Sequence, residues 1–171
     1  MDIGEVLKHI SIRALKTAEL DKAEFEAIVG EKDRENLSLI AREIKSKAGL
    51  KELGAEMLIV GGLINHPERM IHKDLDVKIS VKNGHSAAPA IQAIDDAIQT
   101  LAQNGSFQVE QTKERSPMVE DGYVTTYNLY PKNGGSVIEI IPPYGSEDLP
   151  LDLEKTVGRS AKRRFYVFDR I

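Results

Sequence analysis

The sequence predicts an α+β fold: a mixed β-sheet of about five strands with flanking helices, preceded by an N-terminal helical segment. Three observations lead there. Residues 1–53 carry apolar positions at helical spacing, with charge on the other faces. From residue 55 the texture changes to short apolar or alternating runs closed by glycine. The order that follows is strand, strand, helix and then three strands, which is not the regular strand–helix series of a doubly wound sheet.

The elements follow in chain order. Ile3, Val6, Leu7, Ile10, Ala14 and Leu15 recur at three- and four-residue intervals. Gly30 interrupts; Leu37, Ile40, Ala41, Ile44 and Ala48 resume the pattern, and Gly54 is a stop signal. Residues 1–54 therefore read as helices packing on a core. The core is expected over 55–145. "AEMLIVGG" is a short apolar strand that ends in glycine, and "DLDVKISV" alternates until "NGH" closes it. Ser86 to Gln103 is a helix, with Ser86 as cap, Pro89 in the first turn, and Ile91, Ile94, Ile98 and Leu101 on one face. "SFQVEQT", "YVTTYNLY" and "SVIEII" are strands, the last two joined by the hairpin signal "PKNGG". Residues 146–171 form a basic and aromatic tail.

Composition narrows the function classes. The chain has 171 residues, which fits one domain with a small extension. Hydrophobic residues make up 41%, enough for a core. The net charge of -4 gives no bulk attraction to nucleic acid or to an anionic membrane. A phosphate-bearing partner would need a local basic patch or a metal ion. With no cysteine, disulfides and thiolate zinc sites are excluded. No apolar run approaches the ~20 residues that span a bilayer, and "MDIGEVLKHI" lacks the basic-then-apolar order of a secretory signal. A soluble, cytoplasmic protein without a membrane partner is expected.

The chemistry concentrates in acids. Strand side chains alternate faces, so Leu75, Val77, Ile79 and Val81 fall on one side of "DLDVKISV" and Asp74, Asp76, Lys78 and Ser80 on the other. The two carboxylates then stand roughly 7 Å apart at the Cα level. Like charges that close favour a divalent cation between them, and magnesium takes oxygen ligands. A solvated polar strand face is the plain alternative. Glu139 shifts the balance. It sits in "SVIEIIPP", apolar on both faces, as interior strands are. A carboxylate there needs a partner, because unpaired desolvation costs several kcal/mol on transfer scales. Lys78 is one candidate; a cation shared with Asp74 and Asp76 would account for all three acids. Upstream, Gly61-Gly62 closes a strand and lets the backbone approach a ligand.

With these residues in view, the chain resembles the nucleotidyltransferase superfamily typified by DNA polymerase beta. The shared pattern is "VGG" (Val60-Gly61-Gly62), "DLDV" (Asp74 to Val77) and "IEI" (Ile138-Glu139-Ile140), with eleven residues, 63 to 73, between Gly62 and Asp74. It covers about residues 55–143. The resemblance implies a mixed sheet with flanking helices and a magnesium-dependent transfer. A nucleoside monophosphate would pass from a nucleoside triphosphate to a hydroxyl acceptor (RNA, protein or small molecule) with release of pyrophosphate. It also implies that Asp74, Asp76 and Glu139 hold two magnesium ions and that Gly61 and Gly62 contact the triphosphate. Lys73, Lys78 and Arg69 lie where phosphate would be near, without a motif match. Pro67 breaks the segment after the glycines, so the helix there should be short or late. The Arg-Asp that follows the glycines in tRNA nucleotidyltransferases is absent. The chain is more similar to minimal bacterial members, including toxin–antitoxin and abortive-infection proteins, than to polymerases. The alternative is a non-catalytic nucleotide-binding or toxin–antitoxin interaction module that keeps the fold.

Other signals read more plainly. His66 and His72 flank the acids but sit in a polar loop, and Asp95-Asp96 lie off the apolar face of their helix. The tail holds Arg159, Lys162, Arg163, Arg164 and Arg170 among Phe165, Tyr166 and Phe168. Such a mixture can bind an RNA or protein acceptor through charge and stacking over 159–170. Equally, "FYVF" can add a strand to the core.

Overall fold

The computed structural model describes residues 3, 19–47, 50–67, 74–81, 88–115, 123–143 and 164–171. The expected helical positions Val6 to Leu15, Ala48 and the Ser86 cap lie outside the described residues. The elements are helices α1 (Lys22–Ile28), α2 (Glu31–Lys45), α3 (Gly62–Asn65) and α4 (Ala88–Gln103), and strands β1 (Glu56–Val60), β2 (Asp74–Ser80), β3 (Phe107–Arg115), β4 (Tyr123–Pro131), β5 (Val137–Ile141) and β6 (Tyr166–Arg170). The strands form one sheet in the order β3-β4-β5-β2-β1-β6. β2 and β5 pair in parallel; the other neighbours are antiparallel. The fold is thus α+β with a mixed sheet. It has six strands rather than about five, because the aromatic end of the tail zips onto β1 as an edge strand.

Local chemistry explains the helix starts. Asp21 and Glu24 form a capping box: the Glu24 N–H donates to Asp21 Oδ1 and the Asp21 N–H to Glu24 Oε1, each at 2.8 Å. In α2 the buried residues Leu37, Ile40, Ala41 and Ile44 follow the three-four spacing read from the sequence. In α4 the buried stripe is Ala90, Ala93, Ile94, Ala97, Ile98 and Leu101. Ile91 was expected on that face but is 37% exposed. It sits at the rim of the stripe in the first turn, where small Ala90 and Ala93 make the contact instead.

One face of the sheet carries the core. Leu75, Val77 and Ile79 of β2, Ile138 and Ile140 of β5, Tyr127 and Leu129 of β4, and Met57 and Ile59 of β1 share a buried cluster with the apolar stripes of α2 and α4. Tyr127 donates its hydroxyl to Asp95 Oδ1 at 2.8 Å, tying β4 to α4. Burial, aided by that carboxylate, pushes the phenol well above its ordinary range. Asp95, off the apolar face of its helix, is therefore an acceptor that lets a phenol be buried. At the other end, Phe25 of α1 stacks on Tyr166 of β6 with ring centroids 4.0 Å apart.

The opposite face has two halves. Near the β1–β6 edge, Leu58 and Val60 are buried with Phe165 and Val167 packed against them. Further in, alternation and register put Asp74, Asp76, Lys78 and Ser80 of β2 on the same face as Glu139 of β5 and Asn128 of β4.

Candidate active site

The site grows from three neighbouring strands. Asp76 lies opposite Val60 on β1 and opposite Glu139 on β5. Glu139 in turn lies opposite Asn128 on β4. Asp74, two residues before Asp76, is exposed at the start of β2, while Asp76 and Glu139 are half-buried. Glu139 is not in the deep interior that its apolar neighbours suggested. The strand is central, but only its Ile138 and Ile140 side faces the core.

The glycine turn meets this row. β1 ends at Val60, so Gly61 arrives beside the Asp76 side chain. Gly61 has φ +85° and ψ -165°, a combination that side-chain-bearing residues rarely adopt. A Cβ at this position would overlap the Asp76 carboxylate, with Cγ 2.8 Å and Cβ 3.0 Å away. Glycine is thus required twice, by conformation and by space. The Gly61 carbonyl accepts from the Asn65 backbone N–H at 3.1 Å and from Asn65 Nδ2 at 2.9 Å. The His66 N–H closes the turn onto the Gly62 carbonyl at 2.7 Å. The helix after the glycines is short, four residues, as Pro67 foretold. His66 is exposed at its end. His72, Arg69 and Lys73 lie outside the described residues.

Lys78 was a candidate phosphate contact, or else a partner of Glu139. Its side chain is fully buried, and Nζ donates to the Pro142 carbonyl at 2.9 Å. It therefore braces the end of β5 from β2 and has no surface to offer a phosphate. Burying an ammonium demands such polar contacts. Lys78→Ala is expected to lower unfolding stability by about 2–4 kcal/mol, through the lost packing and an orphaned carbonyl. Chemical denaturation of the two proteins checks this; a change below ~0.5 kcal/mol would show that the strut is dispensable.

Whether the acids suit a metal depends on placement and donor chemistry. Cα separations of roughly 7 Å along β2 and ~4.8 Å between neighbouring strands are within what Asp and Glu side chains span to a shared cation. All the donors are carboxylate oxygens, which fit magnesium rather than zinc or copper. As the side chains stand, no three His, Cys, Asp or Glu among the described residues are gathered closely enough to hold one ion. The backbone sets the three acids on one face of neighbouring strands, but their carboxylates do not converge. Farther along the same face, Tyr130 donates to Glu110 Oε2 at 3.1 Å. That bond and, among weaker causes, the Asp74 charge raise the phenol above its ordinary value.

Two neighbours were not singled out from the sequence. Asn128 stands beside Glu139, and the alternation of "YVTTYNLY" carried the signal for it. The contact of Arg164 with Asn65 had no local signal. The Arg164 backbone N–H donates to Asn65 Oδ1 at 2.7 Å and its Nη1 to the Asn65 carbonyl at 3.2 Å, across 99 residues of chain.

No family model matches the sequence, and no curated protein matches it. Among solved structures the chain is similar to one titled "Structure of the non canonical Poly(A) polymerase complex GLD-2 - GLD-3", at 12% identity and a TM-score of 0.35, over 82% of this chain and 40% of that one. The chain spans well under half the length of that relative, and a likeness this distant carries no functional argument. No helix among the described residues is long and apolar enough to cross a membrane.

Proposed function

We propose that the chain is a magnesium-dependent nucleotidyltransferase, moving a nucleoside monophosphate from a nucleoside triphosphate to a hydroxyl acceptor and releasing pyrophosphate. One observation carries the reading: the glycine turn is seated directly against Asp76, whose sheet neighbour is Glu139. Motif residues that are far apart in sequence thus form one continuous row across β1, β2 and β5. Asp74, Asp76 and Glu139 would hold two magnesium ions, which when bound supply charge neutralisation of the triphosphate and a more acidic acceptor hydroxyl. The chain's own part is placement. Gly61 and Gly62 bring backbone close to the triphosphate without side-chain obstruction. Asp76 stands between turn and β5, so it serves both ends of the row. Glu139 lies on the side away from the glycines, facing the acceptor, with Asn128 beyond it.

The acceptor is an RNA, protein or small-molecule hydroxyl; an RNA or protein would meet the basic tail 159–170, of which Arg159, Lys162 and Arg163 lie outside the described residues. Phe165 and Tyr166 are packed against the fold and remain partly exposed. The ungathered carboxylates favour a second reading, a nucleotide-binding or toxin–antitoxin module that retains the fold without turnover. Incubation with each labelled triphosphate and magnesium, with and without total RNA or protein, separates the two. Magnesium-dependent label transfer supports the enzyme; saturable nucleotide binding with no transfer to any acceptor supports the module; neither would overturn both.

A further inference from the structure

The geometry points to Asn65 as a positioning residue for the glycine turn, locked in place by Arg164 from the far end of the chain. This rests on the reading of Gly61-Gly62 as the triphosphate turn. The Gly61 carbonyl is held from one side by both the backbone N–H and the side-chain amide of Asn65. The peptide bond is planar and trans, so the N–H of Gly62 must point opposite to that carbonyl. Whatever fixes Asn65 therefore aims the Gly62 N–H away from Asn65, toward the open side of the turn.

Asn65 is fixed at both ends of its amide. Nδ2 donates to Gly61, and Oδ1 accepts from the Arg164 backbone N–H at 2.7 Å. A flipped amide would set oxygen against carbonyl and nitrogen against N–H, so only one orientation fits. The Arg164 guanidinium adds a bond to the Asn65 carbonyl at 3.2 Å. Its Nε is buried without a hydrogen-bond partner. The side chain thus contributes a fixed positive charge beside a turn read as facing a polyanion. The topology explains how Arg164 gets there. β6 pairs with β1 so that Tyr166 lies opposite Ile59. Just before Tyr166 in the chain, Arg164 reaches Asn65, which follows β1 by five residues. The same edge strand that completes the sheet thus delivers the lock, and one of the basic residues of the tail belongs to the turn.

The test compares wild type, Asn65→Ala, Arg164→Ala and Arg164→Lys. Asn65→Ala removes both amide bonds and should raise the triphosphate KM about tenfold, with kcat falling less, since one or two hydrogen bonds of binding are lost. Arg164→Ala should act in the same direction, and Arg164→Lys should recover part of the effect by restoring charge. Amide exchange and the NMR shift of Gly62 provide a readout independent of turnover: both should change in Asn65→Ala and Arg164→Ala, with other sheet amides unaltered. Folded variants with wild-type KM and an unchanged Gly62 amide would overturn the lock. If the wild type neither binds nor transfers nucleotide, the nucleotidyltransferase reading fails, and the Gly62 amide alone decides whether Asn65 and Arg164 set the turn. Should Arg164→Ala fail to fold, Arg164→Lys and Asn65→Ala carry the same comparison.

Discussion

Asp76→Asn should lower nucleotidyl transfer by about 1,000-fold or more while leaving the fold intact. Asparagine keeps the shape of the side chain, so it still fits against Gly61. It lacks the charge, and it offers one oxygen where aspartate offers two. Because Asp76 occupies the middle of the row, between the glycine turn and Glu139, no other acid can take over both of its contacts. Because the side-chain shape is retained, the variant should still unfold in a cooperative thermal melt. Label transfer and a thermal melt on the same preparation check both halves. Transfer that survives the substitution would remove Asp76 from the catalytic machinery and with it the whole assignment of the site.

Gly61→Ala should be as damaging to transfer and also costs stability. The backbone at residue 61 is in a region that costs of order 1–3 kcal/mol for a side-chain-bearing residue. The added methyl group would also displace the Asp76 carboxylate. We expect a loss of about 1–3 kcal/mol in denaturant unfolding and a fall in transfer beyond about 100-fold. Gly105→Ala is the matched control. Gly105 has φ +82°, much the same as Gly61, but a Cβ there meets nothing within 4 Å. It should show the conformational cost without the loss of transfer. Equal effects of the two on transfer would mean that the contact with Asp76 is irrelevant.

Much of this site was legible because strands have a strict period of two. Once "DLDVKISV" and "SVIEII" are strands, the faces of Asp74, Asp76 and Glu139 follow up to one choice of register, and the parallel pairing of Asp76 with Glu139 makes that choice. The stripe of α2 was local and equally readable. What failed to show depends on contacts between distant segments. Lys78 shares a face with the acids, yet its length lets it run along the sheet to Pro142, and nothing local distinguishes that from a solvated lysine. Ile91 has the right spacing, but its neighbours in α4 pack through alanine. The sixth strand and the Arg164 contact both arise from the tail pairing with β1, which "FYVF" allowed without requiring.

The parallel pairing of β2 with β5 has a consequence for how the chain acquires its chemistry. β1 with β2, and β3 with β4 and β5, are two antiparallel units that can each zip up from nearby residues. The β2–β5 contact joins positions such as Asp76 and Glu139, 63 apart by subtraction of their numbers, and its loop-closure entropy must be met before the pairing returns anything. The candidate site lies on that seam. During refolding, sheet and helix content should therefore recover ahead of any ability to bind magnesium and nucleotide. The chain would spend its early life as two preassembled halves, each carrying acids that mean nothing until they meet.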